Sequence, residues 1–149
     1  MPEIEKEYIA TGKVKIVFID FPLPFHKNAS KAAEAAHCAG EQGKYWEMHD
    51  KIFASQKAME PKDLTEYAEV IGLDLPEFQK CFDSGKYAEK IKKNIAEAQK
   101  AGVRGAPTFF MGYTETDKPK TLKATEKLVG AQPYAQFKEA IESFLSPKK

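Results

Sequence analysis

Val103-Arg104-Gly105-Ala106-Pro107-Thr108-Phe109-Phe110 sets a small residue before a proline and a short apolar, β-forming run directly after it. A strand accepts proline at its first residue, where the missing N–H is least needed. X–Pro is also the one peptide bond whose cis form costs little. A cis turn here leaves the Ala106 backbone exposed and unpaired beside the strand, a natural docking edge for an extended peptide or a tripeptide thiol. The stretch therefore predicts a strand over 108–111 entered through a shaped loop. Gly105, Ala106, Pro107 and Thr108 are the candidate binding residues.

Upstream, residues 14–20 are β-branched and apolar, with no polar alternation between 16 and 19. That pattern predicts a strand covered on both faces, ended by Pro22 and Pro24. Before it, Ile4, Tyr8 and Ile9 share one helical face, with Gly12 placed to end a short helix. Between the two β regions the periodicity is helical. Residues 28–39 are alanine-rich. Residues 44–55 carry Tyr45, Met48, Ile52 and Phe53 at helical spacing. Leu64, Tyr67, Ala68 and Ile71 lead to Gly72. Asp74 with Pro76 reads as an N-cap and an early helical proline ahead of Phe78, Cys81 and Phe82. Tyr87, Ile91, Ile95 and Ala98 form a stripe ending at Gly102. After the 108–111 strand, residues 112–120 read as a polar loop. Residues 121–129 read as a returning strand distorted near its middle. Gln132-Pro133 opens a last helix burying Tyr134, Phe137, Ile141, Phe144 and Leu145.

Several motifs in this order resemble the DsbA-like thioredoxin-fold proteins: Asp20-Phe21-Pro22-Leu23-Pro24-Phe25-His26, the run from Cys38-Ala39-Gly40 to Trp46-Glu47-Met48-His49-Asp50, the Gly-Ala-Pro-Thr-Phe-Phe loop, and Val129-Gly130-Ala131-Gln132-Pro133. The resemblance covers residues 5–145. It implies an α/β fold: a thioredoxin-like, DsbA-type sheet in a single domain over 1–149, with a helical insertion over about 28–102. In the family the proline loop holds the substrate backbone beside a dithiol. Ala106 stands where threonine or valine is often found, which keeps the backbone contacts and alters the side chain.

The family's Cys-x-x-Cys is absent from this sequence. So are the strand that precedes it and the start of the first helix, which makes the chain look N-terminally truncated. In the family that strand lies between those resembling 14–20 and 108–111. An empty central position leaves rows of N–H and C=O groups unpaired, each costing roughly 1–3 kcal/mol when buried. The two flanking strands could pair directly, a second copy or a separate polypeptide could supply a strand, or the chain is a fragment of a longer product. Direct closure and a homo-oligomer are the favoured expectations.

Cys38 and Cys81 are the two cysteines, on different predicted helices. They match insertion positions where some family members carry a second, non-catalytic disulfide, which would stabilise the fold by about 4 kcal/mol. The alternative is two buried free thiols acting as small apolar residues. Neither has the neighbouring cysteine of a dithiol motif.

At 149 residues, 42% hydrophobic and 30% charged, the chain can bury a sizeable core. A net charge of +1 points to neither nucleic acid nor an anionic membrane surface. No apolar run has the length of a membrane span. The charged N-terminus is not a secretory leader, which places the chain as written in the cytoplasm, whereas the resemblance implies an extracytoplasmic compartment. His37, Cys38 and His49 fit no zinc spacing, so no metal is expected. Glu41, Glu47 and Asp50 read as a solvated face rather than an acid–base pair. Lys90, Lys92 and Lys93 read as another. Tyr45 and Trp46 read as core anchors between helices.

Three functions follow. The first is a DsbA-family protein related to thiol–disulfide oxidoreductases, acting on a peptide or protein thiol substrate. It is expected to be inactive in dithiol exchange as written, with no catalytic residue and no cofactor, because exchange needs an attacking thiolate and a resolving thiol. The second is a non-catalytic peptide-binding or assembly module using the Pro107 loop or an open sheet edge. The third, ranked last, is a glutathione-dependent enzyme.

Overall fold

The computed structural model describes residues 2–114 and 122–146. The chain folds into two compact units, one built from residues 1–18 and 103–149, the other from 19–102.

The first unit holds a two-stranded sheet. β1 (Thr108–Thr114) pairs antiparallel with β2 (Leu122–Val129), with Thr108 opposite Val129. β1 runs three residues beyond the predicted 108–111, because Gly112 stays in the ladder instead of opening the loop. The register slips between Met111, opposite Glu126, and Gly112, opposite Ala124. Thr125 is therefore the extra residue of a bulge, the distortion expected near the middle of β2. At Gly112 a Cβ would lie 2.0 Å from the Lys123 carbonyl oxygen, so no other residue fits the crossing. The rest of the expected polar loop, 115–120, and the first residue of the expected returning strand, 121, lie outside the described residues.

The inner face of the sheet carries Phe109, Met111 and Leu128. They pack with Phe137 and Ile141 of α7 (Tyr134–Leu145) and with Ile4 and Tyr8 of the N-terminal segment. That segment is a turn of α-helix, α1 (Pro2–Ile4), continuing as a π-helical stretch over Glu5–Ile9. Gly12 ends it in the left-handed region (φ 72°), and the Gly12 and Lys13 amides donate to Ile9 and Tyr8. Tyr8 Oη donates to Glu142 Oε1 at 2.6 Å, tying the segment to α7. Leu145, expected in the buried face of α7, is exposed, and Ala140 is buried instead.

Residues 14–20 form no ladder among the described residues, and β1 pairs only with β2 there. The expected strand, and its expected direct pairing with 108–111, are therefore not seen. The alternation is still strand-like as far as Val17. Val14 and Ile16 are half-buried and Asp20 is buried, while Lys15, Val17 (69% exposed) and Ile19 (59% exposed) face solvent; Phe18, also exposed, breaks the alternation. A β-branched run becomes a strand only when another strand's backbone pairs with it, and among the described residues none does.

The second unit is helical: α2 (Ala29–Glu41), α3 (Tyr45–Ala54), α4 (Pro61–Val70), α5 (Leu75–Ser84) and α6 (Ala88–Lys100). Alanines 32, 35, 36 and 39 of α2 are buried, and their small side chains let Met48, Leu64, Tyr67, Phe78 and Phe82 close around it. Glu60 and Asp63 form a capping box at α4, with Pro61 in the first turn. Asp74 caps α5 by accepting from the Glu77 amide at 3.0 Å. Gln42 exchanges two hydrogen bonds with the Asp74 backbone, 2.8 and 3.1 Å, which fixes the end of α2 to the start of α5. Among the described residues no helix is long and apolar enough to cross a membrane.

Candidate functional site

The loop before β1 is held from both sides. Val103 is buried and anchors its entry. Thr108 Oγ1 donates to the Gly105 carbonyl at 2.7 Å and closes the turn. The Gly130 amide donates to the Pro107 carbonyl at 2.8 Å, extending the β1–β2 ladder by one bond. The Ala106–Pro107 peptide is cis. Ala106 and Pro107 are exposed, while Gly105 and Thr108 are half-buried. Among the described residues, no protein group bonds the Ala106 N–H or C=O. The four residues singled out in the sequence thus form one fixed, water-facing backbone segment with a free donor and a free acceptor. Val129, opposite Thr108, adds an exposed apolar side chain beside it.

The cysteines belong to the helical unit. Cys38 of α2 and Cys81 of α5 are joined in a disulfide across a sequence separation of 43, with Cα atoms 5.8 Å apart. They are 2% and 8% exposed, within the core cluster around Phe78 and Phe82. Buried and paired, they form a cross-link between α2 and α5.

Asp20 and His37 form a pair that sequence reading did not foresee. The Asp20 carboxylate is buried, with Oδ2 2.7 Å from His37 Nε2 and 3.2 Å from Asn94 Nδ2. With its proton on Nε2, His37 donates to Asp20 and turns Nδ1 toward Lys90 Nζ at 3.5 Å. The Tyr87 ring stacks on the imidazole. Burial, together with the Asp20 charge, pushes the Tyr45 hydroxyl well above the usual phenol range. An aspartate closing an apolar run was the available signal, but its partners lie 17 and 74 residues away.

The remaining candidates separate. Glu41 bonds Lys86 Nζ and accepts from Tyr87 Oη at 2.7 Å; Lys86 first, and then Tyr87, hold its carboxyl below the usual range. His49 Nδ1 lies 3.0 Å from Asp50. Lys92 and Lys93 pair with Glu89 and Glu97 on an exposed face of α6. Tyr45 is half-buried as a core anchor should be, but Trp46 is 44% exposed, because two residues from buried Met48 it falls on nearly the opposite face of α3. A shallow depression of about 230 Å³ in the helical unit is lined by Phe25, Lys27, Asn28 and Lys57 among others, and by none of the loop residues. Among the described residues, no three histidine, cysteine or acidic side chains gather as a metal site.

The family model Thioredoxin_4, described as thioredoxin, matches residues 1–131. The chain belongs to the thioredoxin-fold family. Within that family it is DsbA-like. It superimposes on the crystal structure of Wolbachia pipientis alpha-DsbA1 with a TM-score of 0.74 and 26% identity, covering 96% of this chain and 74% of that one. It is 31% identical over 137 residues to a probable disulfide bond formation protein D of Bacillus anthracis, covering 85% of this chain and 63% of the relative. It is also 35% identical over 129 residues to the Na(+)/H(+) antiporter NhaA 3 of Salinispora tropica, covering 86% of this chain. The chain spans 20% of that antiporter's length and less than two thirds of the disulfide bond formation protein. This DsbA-like thioredoxin-fold chain is thus related to disulfide oxidoreductases, and its helix-rich architecture is that of the DsbA-type insertion.

Proposed function

We propose that this chain is the substrate-holding part of a DsbA-like module. It docks an extended protein thiol substrate on the backbone of Gly105, Ala106, Pro107 and Thr108, and it performs no dithiol exchange by itself. One contrast carries the reading. The Ala106 backbone is exposed with an unused donor and acceptor, while both cysteine sulfurs of the chain are tied up in a buried cross-link in the helical unit. Exchange requires a thiolate that attacks and a second thiol that resolves the mixed disulfide. Docking requires only main-chain hydrogen bonds of the β-augmentation kind. The disulfide bond formation protein among the relatives supports a thiol-bearing protein as the ligand. The Cys38–Cys81 cross-link supports residence in an oxidising compartment.

Two measurements test the two halves. Titrating an extended peptide into the ¹⁵N-labelled chain should shift the Gly105, Ala106 and Thr108 amides, and unmoved amides would remove the docking half. Insulin reduction should proceed at the background rate of the reductant, and turnover matching a Cys-x-x-Cys protein would remove the other half.

A second reading, an assembly module, is favoured by the ladder-free run at 14–20, whose Val17 and Ile19 side chains face solvent. Strand addition from a second copy or a separate polypeptide would pair that run. Light scattering at increasing protein concentration checks it: a monomer throughout argues against the self-paired version.

A further inference from the structure

Arg104 is the single arginine in a sequence whose other cationic side chains, histidines aside, are all lysines. It lies two residues before Ala106 and is exposed. Among the described residues it makes no hydrogen bond, ion pair or ring contact. Lysines nearby are occupied: Lys127 lies over the Phe110 ring at 5.4 Å. A free guanidinium at this place has a chemical meaning that a lysine would not. Its planar fork matches a carboxylate with two parallel N–H···O bonds, whereas an ammonium offers a point charge. Chain length alone keeps its Cα within about 7 Å of that of Ala106. A docked strand advances about 3.3 Å per residue. Ligand residues flanking the one bonded to Ala106 therefore fall within one side chain's reach of Arg104.

We infer that Arg104 is a specificity-determining residue that selects extended ligands bearing a carboxylate next to the residue held by Ala106. The inference rests on the docking role of the 105–108 loop. The carboxylate has two sources, an acidic side chain within a protein substrate or the terminal carboxylates of a small peptide thiol such as glutathione.

The test uses the full ¹⁵N-labelled chain and two ligand pairs. One pair is two end-blocked hexapeptides differing only in a central glutamate or glutamine. The other is glutathione and its diethyl ester. Wild type should bind the acidic member of at least one pair roughly two- to fivefold more tightly, the range of an exposed ion pair, and the pair that responds names the source. The preference should shrink in 0.5 M salt. It should vanish in Arg104→Gln and be only partly kept in Arg104→Lys, while the Ala106 and Thr108 amides of both variants still shift on binding. Equal affinity within both pairs, or a preference surviving Arg104→Gln, overturns the inference and leaves docking intact. Loop amides that no ligand moves, in wild type as well, overturn the docking reading and this inference together.

Discussion

His37 Nε2 lies 2.7 Å from the buried Asp20 carboxylate, which also accepts from Asn94. One side chain thereby joins the end of the 14–20 run to both α2 and α6. Replacing Asp20 by alanine strips two donors of their acceptor, each costing about 1–3 kcal/mol when left unsatisfied in a buried place. Urea unfolding should show a loss of roughly 2–4 kcal/mol for Asp20→Ala. Asp20→Asn, which keeps one acceptor oxygen, should lose less. Equal stability of Asp20→Ala and wild type would mean that the pair is ornamental.

Gly112 sits where a Cβ would meet the Lys123 carbonyl at 2.0 Å and its carbon at 2.8 Å. Those are backbone atoms and cannot swing aside. Gly112→Ala must push β2 away from β1, at about 1–3 kcal/mol or more, as overpacking does elsewhere. Amide exchange should speed up along both strands, whereas Gly105→Ala, where a Cβ meets nothing within 4 Å, should leave stability nearly unchanged.

The Cys38–Cys81 cross-link closes a loop with a sequence separation of 43. In the chain-entropy account its removal lowers stability by about 4 kcal/mol. The paired variant Cys38→Ala/Cys81→Ala should lose that much in denaturant, and dithiothreitol should then have no further effect on it. A variant as stable as the oxidised protein would show that the packing around Phe78 and Phe82 suffices without the bond.

Glu41 supplies a pH dependence. Hydrogen bonds from Lys86 and Tyr87 hold its folded-state pKa below the ordinary 4.5. A carboxyl depressed on folding adds stability above its unfolded pKa, and that share fades as the pH falls through the folded value. Between pH 5 and 3 the denaturation midpoint should therefore drop less steeply in Glu41→Gln than in wild type. Parallel curves would show the pair to be too solvated to count.

The helical unit was legible in the sequence because its signals are local. Asp74-Leu75-Pro76 announces the start of α5, Gly72 and Gly102 close α4 and α6, and each acts through neighbours a few residues away. The loop at Pro107 was legible for the same reason. What could not be read depends on distant partners. Gly112 looks like a loop residue until Lys123 is placed opposite it. Trp46 and Met48 both lie on an amphipathic helix, and only the packed neighbours decide which is covered. Asp20 finds His37 only once α2 has folded back beside it. Residues 14–20 have the composition of a strand, but a ladder requires a neighbour that composition alone does not supply.

The solvent-facing side chains of Lys15, Val17 and Ile19 have a cellular consequence as well as a structural one. Short β-branched stretches with little charge are what chaperones seize and what growing fibrils recruit. Pro22 and Pro24 follow at once and deny any such stack further rungs, while Lys15 keeps a charge within it. The molecule thus carries this exposed β-branched ribbon between a lysine and two prolines, gatekeepers of the kind that limit self-association to a few residues.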